Sequence, residues 1–243
     1  MTTLYSSVIF DLFGTLVPTY RHHDVLAEMA LALGVDSTAF TPVFATELRD
    51  ERETGKTTLE ETLRIACRRL GHTASGAQIE GAVGIRRRFT RASMVPRGDA
   101  LQALSELKGM GISIGLISDC CEVVSELWES TALAQYIDAP ILSVRVGVRK
   151  PERRIYDLAC AALSVEPARC LYVGDGGSHE LTGAVRAGMD AVLLMVESES
   201  GLDVYRPDAR TWKGPTIRFL SELVENLRDN RRLTRHCGGR GHA

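Results

Sequence analysis

The feature that most constrains the fold is a short apolar run near the amino terminus that stops at a carboxylate. Residues 8–10 (Val-Ile-Phe) precede Asp11, and Gly14 follows on a turn. A continuous apolar run without polar alternation is typical of a parallel strand buried on both faces. The carboxyl end of such a strand borders the crevice where open α/β sheets bind ligands. Asp11 therefore occupies a position suited to a nucleophile, with Thr15 close by on the turn.

The remaining chain alternates strand-like and helix-like segments, which favours a parallel sheet with helices on both faces. We predict further strands over 112–117, 140–144, 169–174 and 190–196, and helices over 100–108, 121–129, 152–163, 180–187 and 216–228. Residues 22–92 instead have the pattern of four consecutive helices. The second spans 42–53, and the third opens on a capping box at Thr58 and Glu61.

Length and composition limit the classes of function. A chain of 243 residues with 44% apolar content is able to bury a core, and a net charge of −2 points to neither nucleic acid nor a membrane surface. The first residues lack a signal-peptide pattern, and no apolar run is long enough for a membrane span, so we expect a cytoplasmic protein. The six cysteines form no CxxC pair, which favours reduced, buried thiols. Residues 229–243, rich in arginine and glycine, are expected to be a disordered basic tail.

Three polar residues follow later apolar runs in a fixed order. Ser118 ends the run 112–117, Lys150 precedes a proline, and Asp175 closes Cys-Leu-Tyr-Val-Gly-Asp. Together with the Asp11 stretch, this order resembles the motifs of the haloacid dehalogenase-like (HAD) hydrolase superfamily over roughly residues 5–196. The fold class is therefore predicted as α/β, a doubly wound parallel sheet (a Rossmann-like HAD core) with a small all-helical cap domain. The resemblance implies a core of residues 1–17 and 94–228, and a cap of residues 18–93 that closes over the site.

The resemblance also implies a separate catalytic role for each of these residues. Asp11 would attack an electrophilic centre and form an aspartyl-phosphate in a phosphatase, or an ester in a dehalogenase. Ser118 and Lys150 would stabilise the charge of a transferring phosphoryl group. The structural alternatives are a strand-end aspartate that caps a turn and a surface lysine before a proline.

Acidic residues in the last motif predict a metal site. Asp175 and Glu180 would repel Asp11 unless a cation neutralised them, and Mg²⁺ prefers such oxygen ligands. The superfamily pattern implies that Asp11, the backbone carbonyl of Phe13 and Asp175 bind the ion, while Glu180 holds a metal-bound water. The alternative for Glu180 is an exposed residue in the first turn of a helix.

Phe13 departs from the pattern of HAD phosphatases, which usually have an aspartate there that protonates the leaving alcohol. Because general acid–base help is worth roughly 10² to 10⁴ in rate, we expect weak activity on alkyl phosphates. The 2-haloacid dehalogenases have an aromatic residue at this place and use no metal, so dehalogenation is one alternative. Asp119 and Asp175 oppose it, because they would repel a carboxylate substrate. A catalytically weak HAD-fold binding protein is the other alternative.

The predicted partner is a small phosphorylated substrate, and the oligomeric state is not predicted. Thr15 and Asp119 are candidate substrate contacts, with a helix cap as the alternative role of Asp119. Arg49 and Arg52 in the cap are further candidates for an anionic group, as are the arginines at positions 86–88 and 91. Their alternative role is that of solvated or paired surface arginines.

Overall fold

A parallel sheet forms the centre of the structure, a computed structural model that describes residues 4–19, 22–196, 206–231 and 233. Within these residues the strands are β1 (Ser7–Phe10), β2 (Ser113–Ser118), β3 (Ala139–Leu142), β4 (Cys170–Gly174), β5 (Asp190–Leu194) and β6 (Thr216–Ile217). They are ordered β3-β2-β1-β4-β5-β6, and each neighbouring pair is parallel. The predicted doubly wound class is thereby confirmed, and β1 lies between β2 and β4.

Helices connect the strands and flank both faces of the sheet. The first half of the chain contains α1 (His22–Leu33), α2 (Ser37–Pro42), α3 (Arg49–Glu53), α4 (Leu59–Arg69), α5 (Gly76–Ser93) and α6 (Ala100–Gly109). The second half contains α7 (Glu122–Leu127), α8 (Ser143–Val146), α9 (Arg153–Leu163), α10 (Glu180–Ala187), α11 (Pro207–Thr211) and α12 (Leu220–Arg228).

Strands β1 to β5 each contribute to two hydrophobic clusters because successive side chains point to opposite faces. Val8 and Phe10 of β1 pack in a cluster with residues of α6 and α12. Ile9 packs in the opposite cluster with residues of α9 and α10. All four residues of β1 are buried, as the continuous apolar run predicts.

The helical segment between β1 and β2 differs in detail from the prediction. In place of one helix over 42–53, the structure has α2, a π-helical turn (Val43–Glu47) and α3. The carboxylate of Asp36 accepts from the amide of Ala39 and starts α2 early, which leaves Pro42 inside this helix. Proline lacks an N–H and disturbs regular helix pairing, which accounts for the change to a π-helical turn there. The predicted capping box at the start of α4 is confirmed.

These helices also share a hydrophobic cluster distinct from the two that flank the sheet. Met29, Leu33, Phe40 and Leu63 are fully buried in it. Cys121 and Val123, which follow β2, also belong to this cluster. The division of the chain into a core of residues 1–17 and 94–228 and a cap of residues 18–93 stays a prediction.

The prediction of one last helix over 216–228 is wrong at its start. Residues 216 and 217 form β6, and the helix begins only at Leu220. The carboxylate of Asp99 accepts from the amides of Leu220 and Ser221 at 2.7 and 3.3 Å. These bonds satisfy backbone N–H groups in the first turn of the helix, and their acceptor belongs to a residue distant in sequence.

Other features of the chain are placed as follows. Among the described residues no single helix is long and apolar enough to cross a membrane; a pair over 25–33 and 37–47 passes that test only jointly, and is bent by 114°. The five described cysteines are free and buried, as predicted. Most of the predicted tail over 229–243 lies outside the described residues.

Candidate active site

The candidate catalytic residues lie at the carboxyl edge of the central strands. Asp11 directly follows β1, Ser118 ends β2, and Asp175 directly follows β4. The main-chain N–H of Asp11 donates to the carbonyl of Val173 at 2.9 Å, which continues the β1–β4 pairing to the nucleophile candidate. All three candidates are buried, so the site lies at the bottom of the crevice rather than on the surface.

Lys150 joins two of the acidic residues. Its ammonium lies 2.5 Å from Oδ1 of Asp11 and 2.5 Å from Oε2 of Glu180. The other oxygen of Asp11, Oδ2, accepts from the hydroxyl of Thr15 at 3.2 Å. Lys150 is only 4% exposed, so the alternative role of a surface lysine is wrong. A buried ammonium held this way has a fixed position at the carboxylate that would attack.

Burial and crowding change the acid–base properties of this group. Burial and the charge of Asp175 raise the pKa of Asp11, although attraction to Lys150 opposes the rise. Burial and the charge of Asp11 likewise raise the pKa of Glu180 well above its ordinary value. Burial disfavours the ammonium of Lys150, but the surrounding carboxylates outweigh that effect and raise its pKa. The ammonium therefore stays charged at neutral pH.

Glu180 is held by donors on three sides. Its Oε1 accepts from the amide of Gly176 at 2.9 Å, and its Oε2 accepts from the hydroxyl of Tyr172 at 2.9 Å as well as from Lys150. The side chain is fully buried, so the alternative of an exposed first-turn glutamate is wrong. A Cβ on Gly174 would lie 2.2 Å from Oε1, which explains the glycine at that position. Glu180 and Asp11 thus hold the ammonium of Lys150 between them by two contacts of 2.5 Å.

Asp175 is paired with an arginine from the carboxyl-terminal part of the chain. Its Oδ2 lies 2.7 Å from Nε of Arg206, and its Oδ1 accepts from the amide of Gly177 at 2.9 Å. Arg206 is 5% exposed, and its guanidinium also donates to the hydroxyl of Thr19 at 2.6 Å. Gly14, with φ +90°, approaches so closely that a Cβ would lie 2.0 Å from Oδ2 of Asp175. The turn after Asp11 therefore packs directly against the last motif.

The acidic group has the chemistry of a divalent-cation site. One oxygen from each of Asp11, Asp175 and Glu180 lies within 4.8 Å of the others, and all three residues are buried. Lys150 and Arg206 supply two positive charges against these three carboxylates, which leaves an excess of negative charge. A carboxylate has about four acceptor positions, of which Asp11 and Asp175 each use two in the bonds above. Hard oxygen ligands with free lone pairs suit Mg²⁺, so the residues fit that ion.

A cavity of about 170 Å³ lies beside this group, between α3, α5 and the segment after β2. Phe13, Arg49, Arg52 and Asp119 all line it. Arg52 is 7% exposed, so for this residue the alternative of a solvated surface arginine is wrong. Asp119 does not cap α7; its Oδ1 accepts from the amide of Lys150 at 2.9 Å. Three of the substrate-contact candidates, Arg49, Arg52 and Asp119, therefore border one space, whereas the fourth, Thr15, is buried against Asp11.

Two residues of the site, Tyr172 and Arg206, could not be predicted from the sequence. Tyr172 lies within a strand-like apolar run, where an aromatic residue indicates packing and nothing marks its hydroxyl as a partner of Glu180. Arg206 follows a segment of the sequence without strand or helix pattern. It comes after β5 in the chain, whereas its partner Asp175 comes directly after β4. The only available signal for Arg206 is a general one, because a buried acidic group requires counter-charges from somewhere in the chain.

Comparison with known proteins decides the family. A family model described as haloacid dehalogenase-like hydrolase matches residues 5–188. The chain belongs to this family. It is accordingly a hydrolase, and the resemblance inferred from the order of the motifs is confirmed.

This HAD-like hydrolase is similar in sequence to phosphatases and in fold to a dehalogenase. It is 26% identical to the glyceraldehyde 3-phosphate phosphatase of Methanopyrus kandleri, over 79% of this chain and 84% of the relative. It is also 26% identical to the ribulose-1,5-bisphosphate 5-phosphatase of Halopiger xanaduensis, over 80% of this chain and 87% of the relative. The L-2-haloacid dehalogenase of Xanthobacter autotrophicus is similar in fold, with a TM-score of 0.61 at 19% identity over 93% of this chain and 99% of that one.

Proposed function

We propose that this HAD-like hydrolase is a Mg²⁺-dependent phosphatase acting on a small phosphorylated metabolite. The observation that carries the proposal is the buried group of Asp11, Asp175 and Glu180, whose oxygens converge within 4.8 Å. These three carboxyl groups outnumber the two cations that pair with them, Lys150 and Arg206. A dehalogenase needs no such cation site. The phosphatase names of the relatives support the same choice.

The chemistry would proceed in two displacements at phosphorus. A carboxylate oxygen of Asp11 attacks the phosphorus atom, and the bond to the leaving oxygen breaks, which gives an aspartyl-phosphate and an alkoxide or phenolate. Water then attacks the phosphorus atom and releases phosphate, which restores the carboxylate of Asp11. Lys150 and Ser118 stabilise the phosphoryl oxygens in both steps.

Asp11, the backbone carbonyl of Phe13 and Asp175 would hold the magnesium ion. Bound there, the ion supplies Lewis-acid stabilisation of the phosphoryl oxygens and favours the ionised form of Asp11. Glu180 is the least accessible of the acidic residues, because three protein donors already use its carboxylate. We assign Glu180 to the positioning of Lys150, together with any water that the ion carries.

Removal of the metal tests the proposal directly. With 4-nitrophenyl phosphate, whose leaving group needs no proton, we expect turnover to disappear in EDTA and to return when Mg²⁺ is added. Calorimetry should show Mg²⁺ binding that is lost in Asp175→Asn, a readout independent of turnover. Equal rates with and without EDTA would overturn the metal-dependent proposal.

Phe13 leads to a separate prediction about the leaving group. Phe13→Asp places a carboxylic acid where an acid is lacking, and we expect it to raise kcat on an alkyl phosphate by about 10²-fold. The rate on 4-nitrophenyl phosphate should change much less, because that leaving group departs without a proton. Phe13→Asn is the matched control, since asparagine has nearly the same size as aspartic acid but no acidic proton. Equal gains in both variants would show that side-chain volume, and not proton transfer, limits the reaction.

Dehalogenation is the second candidate, favoured by the aromatic residue at position 13. It would appear as halide release from a 2-haloacid in the presence of EDTA. A binding protein without turnover is the third candidate, and would bind phosphate esters while showing neither reaction.

A further inference from the structure

The cavity beside the active site contains polar atoms that the fold leaves unpaired. In the part of the chain that the structure describes, Nε of Arg86, Oγ1 of Thr90 and Oδ2 of Asp119 are buried and have no hydrogen-bond partner. Thr90 is only 3% exposed. A buried polar atom without a partner is unfavourable by about 1–3 kcal/mol, so folded proteins rarely keep several in one place. All three residues line the same cavity, which indicates that a ligand supplies the missing partners.

The charge of the lining indicates what that ligand carries. Arg49, Arg52 and Arg86 face this cavity, against the carboxylates of Glu53 and Asp119. Oε2 of Glu53 already pairs with two arginines, because Nε of Arg49 lies 2.8 Å from it and a guanidinium nitrogen of Arg149 lies 3.0 Å from it.

The closest hydrogen-bond and ring contacts of Arg52 are instead with neutral groups. Its guanidinium donates to the carbonyl of Phe44 at 2.5 Å and lies over the ring of the same residue, 4.3 Å from the centroid. The nearest oxygen of Glu53 is 3.8 Å away. The cavity therefore has an excess of positive charge, which favours an anion.

The dimensions limit the size of the ligand. At about 30 Å³ for each water-sized group, 170 Å³ holds roughly six such groups. Phe13 lies on the wall of the cavity and only two residues after Asp11, so a phosphoryl group at Asp11 would direct its leaving group past Phe13 into this space.

We propose that the cavity selects a leaving group of about two to four carbons that carries a second anion, bound by Arg86 and Arg52, and a hydroxyl, bound by Thr90 and Asp119. This assignment rests on the proposed phosphatase function and names its substrate class. The second anion is a carboxylate or a phosphate, since an arginine recognises both by the same paired donors.

Matched substrate pairs test the assignment. The carboxylate pair is 3-phosphoglycerate and glycerol 3-phosphate, and the phosphate pair is 1,3-propanediol bisphosphate and propyl phosphate. For at least one pair, kcat/KM should favour the anionic member by about 10- to 100-fold, as expected for a charged hydrogen bond. The pair that shows the preference identifies the anion.

Arg86→Gln should remove this preference by lowering kcat/KM on the anionic member by about 10- to 100-fold. Arg87→Gln is the matched control: the neighbouring side chain is 54% exposed and pairs with Glu126 at the surface. Thr90→Val, which replaces a hydroxyl by a methyl group, should abolish discrimination between 3-phosphoglycerate and its analogue without the 2-hydroxyl. An unchanged preference in Arg86→Gln, or the same loss in Arg87→Gln, would overturn the proposal.

Binding measurements separate this proposal from the function on which it rests. Calorimetry with Asp11→Asn compares the two members of each pair without turnover. Tighter binding of the anionic member, combined with no phosphatase activity in the wild type, would refute the phosphatase function and support the anion site. Turnover in the wild type with equal binding of both members would refute the anion site and leave the phosphatase function standing.

Discussion

Asp11→Asn should reduce turnover of 4-nitrophenyl phosphate by about 10⁴-fold or more, because the amide lacks the nucleophilic carboxylate. The change is nearly isosteric: the amide oxygen is able to accept from Lys150 in place of Oδ1, and the NH₂ group then faces the hydroxyl of Thr15, which is able to accept from it. It also removes one negative charge from a site with an excess of them, so the fold should survive. Steady-state kinetics and thermal unfolding measure the two effects separately.

The wild type should also carry a transient phosphoryl group on Asp11. Acid quenching during turnover, followed by mass spectrometry of the peptide that contains residue 11, detects it. Asp157→Asn is the control, since this carboxylate is 49% exposed on α9 and pairs only with Arg153 in the described structure. A phosphoryl group on another residue, or turnover in Asp11→Asn like that of the control, would refute the assigned nucleophile.

The sequence predicts those parts of this molecule that depend on local patterns. Continuous apolar runs located β1, β2, β4 and β5, because burial on both faces leaves a clear signal in each strand. The two-residue strand β6 has no such signal, because its place depends on pairing with β5. The start of α12 similarly depends on Asp99, which lies 121 residues away from Leu220.

The sequence predicts which residues form the site, but it does not predict the hydrogen bonds and ion pairs between them. The order of the motifs brings Asp11, Ser118 and Asp175 to one edge, because carboxyl ends of parallel strands share it. That Glu180 is fully buried could not be predicted, because its burial requires the hydroxyl of Tyr172 and the absence of a side chain at Gly174. Long-range polar contacts of this kind follow from the packed fold and leave no periodicity in the sequence.

Lys150→Met should have the second large effect, on stability as well as on rate. The ammonium is the buried counter-charge of both Asp11 and Glu180, and its removal leaves two carboxylates without it. Breaking a buried ion pair from one side typically lowers the free energy of unfolding by about 3–5 kcal/mol. Lys108→Met is the matched control, because Lys108 and its partner Asp138 are both 39% exposed, and such surface pairs contribute at most about 1 kcal/mol.

The loss in Lys150→Met should depend on pH in a defined direction. Without the ammonium, burial and mutual repulsion raise the pKa values of Asp11 and Glu180 further above their ordinary values of 3.8 and 4.5. The folded variant then binds protons that the unfolded chain has released, so its stability falls as the pH rises above those ordinary values. In the wild type, the pKa of Lys150 lies above its ordinary value of 10.5. The stabilisation by the ammonium is therefore complete below pH 10.5 and is lost only as the pH rises above that value.

The stability difference between wild type and Lys150→Met should therefore grow from about pH 5 to about pH 8. Denaturant unfolding at both values measures it, and Lys150→Met combined with Glu180→Gln should recover part of the loss because one unpaired charge is gone. This double variant also provides a folded protein if the single one does not fold. A loss no larger than that of Lys108→Met at either pH would mean that the ammonium is not the counter-charge of the site, and that the carboxylates are neutralised by protonation instead.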